Sequence, residues 1–170
     1  ELLNKYPRDR WPEHANMTVM LRFWLNKHKE FNTVCQALNE CMSTVKNDAT
    51  DSNLFRANIK PKVDWLIINF NEHHHIEDHF VFPALRGLAP ALKPQFDRLD
   101  SDHSLLNTNL EKLAAISKQY IHSEDSMSLT KLNTEFTTAL IQLTRKLQEH
   151  LSDEENLVVP LFLEYGENRI

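Results

Sequence analysis

Glycine is nearly missing from this sequence, with 2 in 170 residues. Hairpins and other tight turns of β proteins draw on glycine for backbone angles that other residues avoid, so its scarcity argues against sheets and predicts an all-α chain. Cysteine is scarce too. Cys35 and Cys41 lie six residues apart in an amphipathic stretch, which excludes a disulfide scaffold and a thiolate zinc site and leaves buried thiols as the expectation. An excess of basic residues is also lacking. The formal net charge is -5, so no nucleic-acid partner is expected. No apolar run approaches the roughly 20 residues that span a bilayer, and no signal-peptide pattern is present. The expectation is a cytoplasmic protein without a membrane segment.

What is there is four long segments with apolar residues at helical spacing. The first runs from about Glu13 to Val45, with a stripe of Met17, Leu21, Trp24, His28, Phe31, Cys35 and Leu38. A linker rich in turn formers, residues 46–53, leads to a second segment from about Leu54 to Leu85, whose stripe reads Ile59, Val63, Leu66, Phe70, His73, Glu77, Phe80 and Ala84. Gly87 and Pro90 close it. The third begins near Ala91 and presents Leu92, Phe96, Leu99, His103, Leu106, Leu110 and Leu113. After a break at residues 123–126, the fourth presents Leu129, Leu132, Phe136, Leu140, Leu143, Leu147, His150, Glu154, Leu157 and Leu161. Short links favour antiparallel neighbours, so the predicted fold is an up-down-up-down antiparallel four-helix bundle. Residues 1–170 are expected to form a single domain with a short N-terminal extension, 1–12.

The polar exceptions on these stripes carry the chemistry. His28, then His73 with Glu77, is followed by His103, then His150 with Glu154. The two halves match: each His-x-x-x-Glu pair is followed by a proline six residues after its glutamate, at Pro83 and Pro160. Two helical hairpins thus bring equivalent groups to one depth, related by a pseudo-twofold. Residues four apart lie about one turn apart on one helix face, so each histidine and its glutamate converge on a point in the core. Imidazole nitrogen with carboxylate oxygen is a ligand set for transition metals. Burying two carboxylates is costly unless they are neutralised, and metal ions between the hairpins would neutralise them.

On the segments Leu25-Asn-Lys-His28, His73-His-His-Ile-Glu-Asp78 with Phe82-Pro83, Leu99-Asp-Ser-Asp-His103, and His150-Leu-Ser-Asp-Glu-Glu155 with Val159-Pro160, the chain resembles the hemerythrin-like, or HHE cation-binding, domain over nearly its whole length. The resemblance is to the bacterial type, whose members commonly carry a His-His-x-Ile-Glu-Asp run. It implies two non-haem iron ions, joined by an oxo or hydroxo bridge and held by five histidines and two bridging carboxylates. Glu77 and Glu154 match the carboxylates, and His28, His73, His103 and His150 match four histidines. The fifth departs from the pattern: oxygen-carrying members have a histidine one turn after the first on the third helix, where this chain has Asn107. His74 is the candidate in its place, because at about 100° per residue it lies about 60° around the helix from Glu77. Asn107, water or no ligand are the alternatives. His75, about 200° from His73, is expected to face solvent. His14 is about 21 Å from His28 along a helix axis, too far to share a cluster, and His79 and His122 are expected to be solvated.

With only two carboxylates the centre would be more positive than ferritin-like sites built from four glutamates. Neutral imidazoles do little to stabilise high-valent iron, which favours binding of O2 or a related small ligand, in sensing, carriage or iron handling, over turnover. No catalytic residue is assigned. An enzyme acting on peroxide or nitric oxide at the same centre is the alternative, and a metal-free helical interaction module is a third. A sensing role would call for a separate protein partner, which nothing in the helix faces identifies.

Overall fold

The computed structural model describes residues 2–44, 55–123 and 126–170. Every regular element among them is helical. The predicted linker at 46–53 and residues 124–125 of the predicted break lie outside the described residues. The α-helices are α1 (Leu2–Lys5), α2 (Val19–Thr44), α3 (Lys60–Ile76), α4 (Phe82–Leu88), α5 (Lys93–His122) and α6 (Ser126–Tyr165). Three-residue-per-turn segments occur at Arg8–Glu13, Pro90–Leu92 and Glu167–Arg169, and wider π turns at Phe55–Ile59 and Glu77–Val81.

The first long helix starts later than expected. Pro12 sits in the tight turn at Arg8–Glu13, and the Thr18 hydroxyl accepts the Leu21 N–H at 3.2 Å, so Thr18 caps α2 where the residue pattern alone suggested a start near Glu13. At the other end of the chain α6 stops at Gly166, whose φ of 77° is open to glycine and strained for other residues.

Contacts across the helices run in opposite numerical order. On α2 and the α3 side they pair Trp24 with Glu77 and Lys27 with Asn69. On α2 and α6 they pair His28 with Glu155 and Asn39 with Thr144. On α5 and α6 they pair Arg98 with Asp153 and His103 with His150. Each of these neighbours is therefore antiparallel.

Apolar burial is divided between two clusters. The larger is built around Phe31, Leu66, Phe70, Leu113, Phe136 and Leu147, and the smaller around Trp11, Leu21, Phe82, Phe96, Val159 and Phe162. Each of these side chains contributes roughly 1.5–3 kcal/mol on burial. Along every long helix the polar exception falls where one cluster gives way to the other. Phe31 and Leu21 flank His28, Phe70 and Phe82 flank His73 to Glu77, Leu106 and Leu99 flank His103, and Leu147 and Val158 flank His150 to Glu154. A polar layer thus crosses the core. The N-terminal stretch folds back along α6: Lys5 and Tyr6 both donate to Glu164, and the Asn16 amide donates to the Leu163 carbonyl at 2.8 Å.

Candidate metal centre

The polar layer holds His28, His73, His74, Glu77, His103, His150 and Glu154, all buried. Glu77 opens the π turn that joins α3 to α4. Its amide N–H reaches the carbonyls of His73 and His74, and its own carbonyl accepts from the Phe82 N–H, five residues on. Pro83 supplies a physical reason for the widened turn, since proline has no N–H to give and its ring crowds the carbonyl one turn back. The extra residue shifts the helix phase. Phe82 and Leu85 are buried beyond it, and Phe80, placed on the apolar stripe by the regular pattern, is 65 % exposed. Upstream of the shift, two adjacent histidines and Glu77 all face inward.

The side chains form two groups, each with ligand atoms close enough to hold one ion: His28, His73, Glu77 and Glu154 in one, and His74, His103 and His150 in the other. His28 Nε2 lies 3.0 Å from His73 Nε2, and His103 Nε2 lies 3.2 Å from His150 Nε2. Carboxylate oxygens sit among them: His73 Nε2 is 2.9 Å from Glu77, His103 Nε2 3.6 Å from Glu77, and His28 and His150 Nε2 3.6 and 3.4 Å from Glu154. Four ring nitrogens thus point at shared space.

A second ring of acids sits behind the histidines. His103 Nδ1 is 2.8 Å from Asp78 and His28 Nδ1 is 3.2 Å from Glu155. A carboxylate accepts, so each Nδ1 carries the proton and each Nε2 keeps its lone pair for the centre. The arrangement is reciprocal, because the acid next to Glu77 orients a histidine of the second hairpin and the acid next to Glu154 orients one of the first. Trp24 adds an indole N–H donated to Glu77 Oε1 at 2.6 Å, with its ring 4.0 Å from that of His28. Residue-pattern reasoning missed Asp78, Glu155 and Trp24. The signal for the first two was present, an acid directly after each core glutamate.

Burial pushes His74 down to about 2 and His150 to about 3, helped in both cases by the neighbouring His103, and burial likewise lowers His28. Their imidazoles stay neutral and able to bind metal. Burial opposes ionisation of Glu77, but His73 and His103 outweigh it and hold its carboxyl well below the usual range. Glu154 goes the other way, raised first by burial and then by the charge of Glu77 beside it. Without a cation, one acid is ionised and its neighbour keeps a proton.

The fit to a metal rests on what is left unsatisfied. Both ring nitrogens of His74, Nδ1 of His150, Glu77 Oε2 and both carboxylate oxygens of Glu154 are buried without hydrogen-bond partners. Buried polar atoms of this kind are costly. His74, Glu77 and Glu154 belong to the two groups that can hold an ion, each offering one ligand atom, so cations there would give these residues partners that the protein itself does not supply.

A family model for the Hemerythrin HHE cation binding domain matches residues 19–162. The chain belongs to that family. As an HHE domain it is a cation-binding protein, and its histidine and carboxylate groups fit a metal site. No curated protein and no solved structure matches the chain.

The remaining candidates fall outside the centre of this HHE domain. Asn107 is half-buried, with its Oδ1 unpartnered, and joins neither group. His75, His79 and His122 are exposed. His14 caps the Arg8–Glu13 turn in extended backbone, where its Nδ1 accepts the Asn16 N–H, so the helical distance from His28 does not apply to it. Cys35 is buried in the larger apolar cluster, and that burial pushes its thiol up to about 11. No helix among the described residues is long and apolar enough to cross a membrane.

Proposed function

We propose that this HHE domain is a single-domain, up-down-up-down four-helix bundle holding a non-haem di-iron centre that binds O2 or a related small ligand. The observation that carries the proposal is the pairing of a three-histidine group with a two-histidine, two-carboxylate group, with unpartnered buried atoms in both. His74, His103 and His150 are assigned to one ion and His28 and His73 to the other, with Glu77 and Glu154 between them. Nitrogen and oxygen donors without thiolate suit iron better than structural zinc. Bound ferrous iron would supply the electron-rich centre at which a small ligand binds.

The chain's own residues do the rest. Glu77 and Glu154 offset the metal charge, while Asp78 and Glu155 fix the tautomer of His103 and His28. The apolar clusters on either side keep water from the layer. With Glu77 and Glu154 shared between the two ions, three imidazoles against two would leave room for a ligand on the two-histidine side. A cleft of about 490 Å³, lined by Met20, Phe23, Trp24, Ile76, Val81 and Phe162, reaches His73 on that same side. An apolar approach of this kind suits an uncharged ligand such as O2.

Iron and zinc content per chain, followed by absorption as the reduced, anaerobic protein meets air, tests the proposal. The expected result is about two irons and a new near-ultraviolet and visible band on exposure to air. A folded protein that takes up no iron on reconstitution would overturn it.

A further inference from the structure

The helical turn that carries His73, His74 and Glu77 inward carries two more histidines outward. His75 and His79 are exposed, four residues apart across the junction of α3 with the π turn, and their rings lie 4.2 Å apart, centroid to centroid. His79 Nδ1 is 2.9 Å from the His75 backbone carbonyl. A carbonyl only accepts, so Nδ1 carries the proton and the lone pair of His79 is on Nε2, the nitrogen across the ring from the backbone. Neither histidine belongs to the inner groups, and neither is in an ion pair with an acid among the described residues.

We infer that His75 and His79 form a second metal site on the surface, for a divalent transition ion of the Cu2+, Ni2+ or Zn2+ type. Two imidazoles at positions i and i+4 are how one helix face offers two nitrogens to one ion, and water completes the shell. Two nitrogen donors discriminate against Ca2+ and Mg2+, which take oxygen, and among first-row divalent ions copper binds such a pair most tightly. Because His75 lies in α3 and His79 in the π turn, an ion held by both ties the two segments together.

Copper titrated calorimetrically into the full chain tests the inference, comparing the unmodified protein with His75→Ala, His79→Ala and His14→Ala. The inner residues are the same in all four, so whatever they take up cancels in the comparison. Loss of either ring of the pair is expected to weaken one class of sites about tenfold or more, with His14→Ala unchanged. Both rings are exposed, so the variants are expected to keep the thermal midpoint of the metal-free protein, which separates lost ligands from lost fold. Identical isotherms in the unmodified protein and both variants of the pair, or loss of the same sites in His14→Ala, would overturn the inference.

Discussion

At the scale of single residues, His74 is the most informative position. It has no hydrogen-bond partner at either ring nitrogen, stacks on His103 with ring centroids 3.8 Å apart, and groups with His103 and His150 around one point. His74→Ala should therefore lower bound iron per chain by about half or more, while His75→Ala leaves bound iron unchanged, as read by elemental analysis of protein purified in parallel. Equal metal in both would remove His74 from the centre. The inward direction of His74 was legible in the sequence because a helix fixes the angle between neighbours, and the residues brought together in the polar layer are the ones the spacing singled out. The acids behind them were not legible on the same grounds. In the sequence Asp78 and Glu155 are acids next to the core glutamates, and only the opposite hairpin places His103 and His28 against them. Trp24 was legible as a core side chain, and its indole N–H bond to Glu77 was not. Contacts between hairpins have no fixed spacing in sequence, so only the assembled layer reveals them.

At the scale of elements, the long helices were legible from apolar periodicity, and the departures come from residues that interrupt a regular helix. Pro83 widens the turn at Glu77 and rotates the helix beyond it, which is why Phe80 faces solvent and Phe82 the core. The N-terminal stretch has no periodicity to read, yet it reaches the centre through one side chain. Arg8 donates to Glu155 Oε2 at 2.7 Å, to Asn156 at 2.9 Å and to the Ser152 carbonyl at 3.2 Å, and Glu155 Oε1 in turn faces His28 Nδ1. Arg8 and the turn that bears it precede residue 19, where the family match begins. Its side chain is 45 % exposed, so the ion pair itself adds at most about 1 kcal/mol to folding. Its effect on the centre should be larger, because it holds the acid that orients His28. Arg8→Ala is expected to weaken metal affinity by about tenfold, in the range for groups behind a ligand, with a small change in thermal midpoint and partial rescue by Arg8→Lys. A competition titration against a chelator measures this, and unchanged affinity would make Arg8 a surface residue only.

At the scale of the whole molecule, the two apolar clusters are joined by a polar layer that is stable only in particular charge states, and this gives the metal-free protein a defined pH response. His74 and His150 are held neutral by burial, with folded values of about 2 and about 3 against an ordinary 6.5. For a histidine lowered on folding, the unfolded chain binds more protons below the unfolded value, so stability is full above about 6.5 and falls as pH drops through it. Glu77, held low by His73 and His103, adds to the loss further down, once pH falls below the ordinary carboxylate range. Glu154 has the opposite sign. Its carboxyl is raised on folding, so its contribution is present in acid and is lost as pH rises above the ordinary carboxylate value, which leaves the metal-free layer strained near neutrality. A cation removes that strain by allowing both glutamates to ionise together. It also competes with protons for the same imidazoles, so acid should release it. Below about 6.5 the two lowered histidines outweigh the single opposing carboxyl of Glu154, so urea midpoints should fall between pH 6.5 and pH 5 in the metal-free protein, and should fall more steeply in the loaded protein as metal is lost. At neutral pH, metal at about a hundred times its dissociation constant should add about 2.7 kcal/mol to the stability of the whole chain. A metal-free midpoint that stays level down to pH 5 would mean that the histidines of the layer accept protons without cost, which their burial between two apolar clusters does not allow.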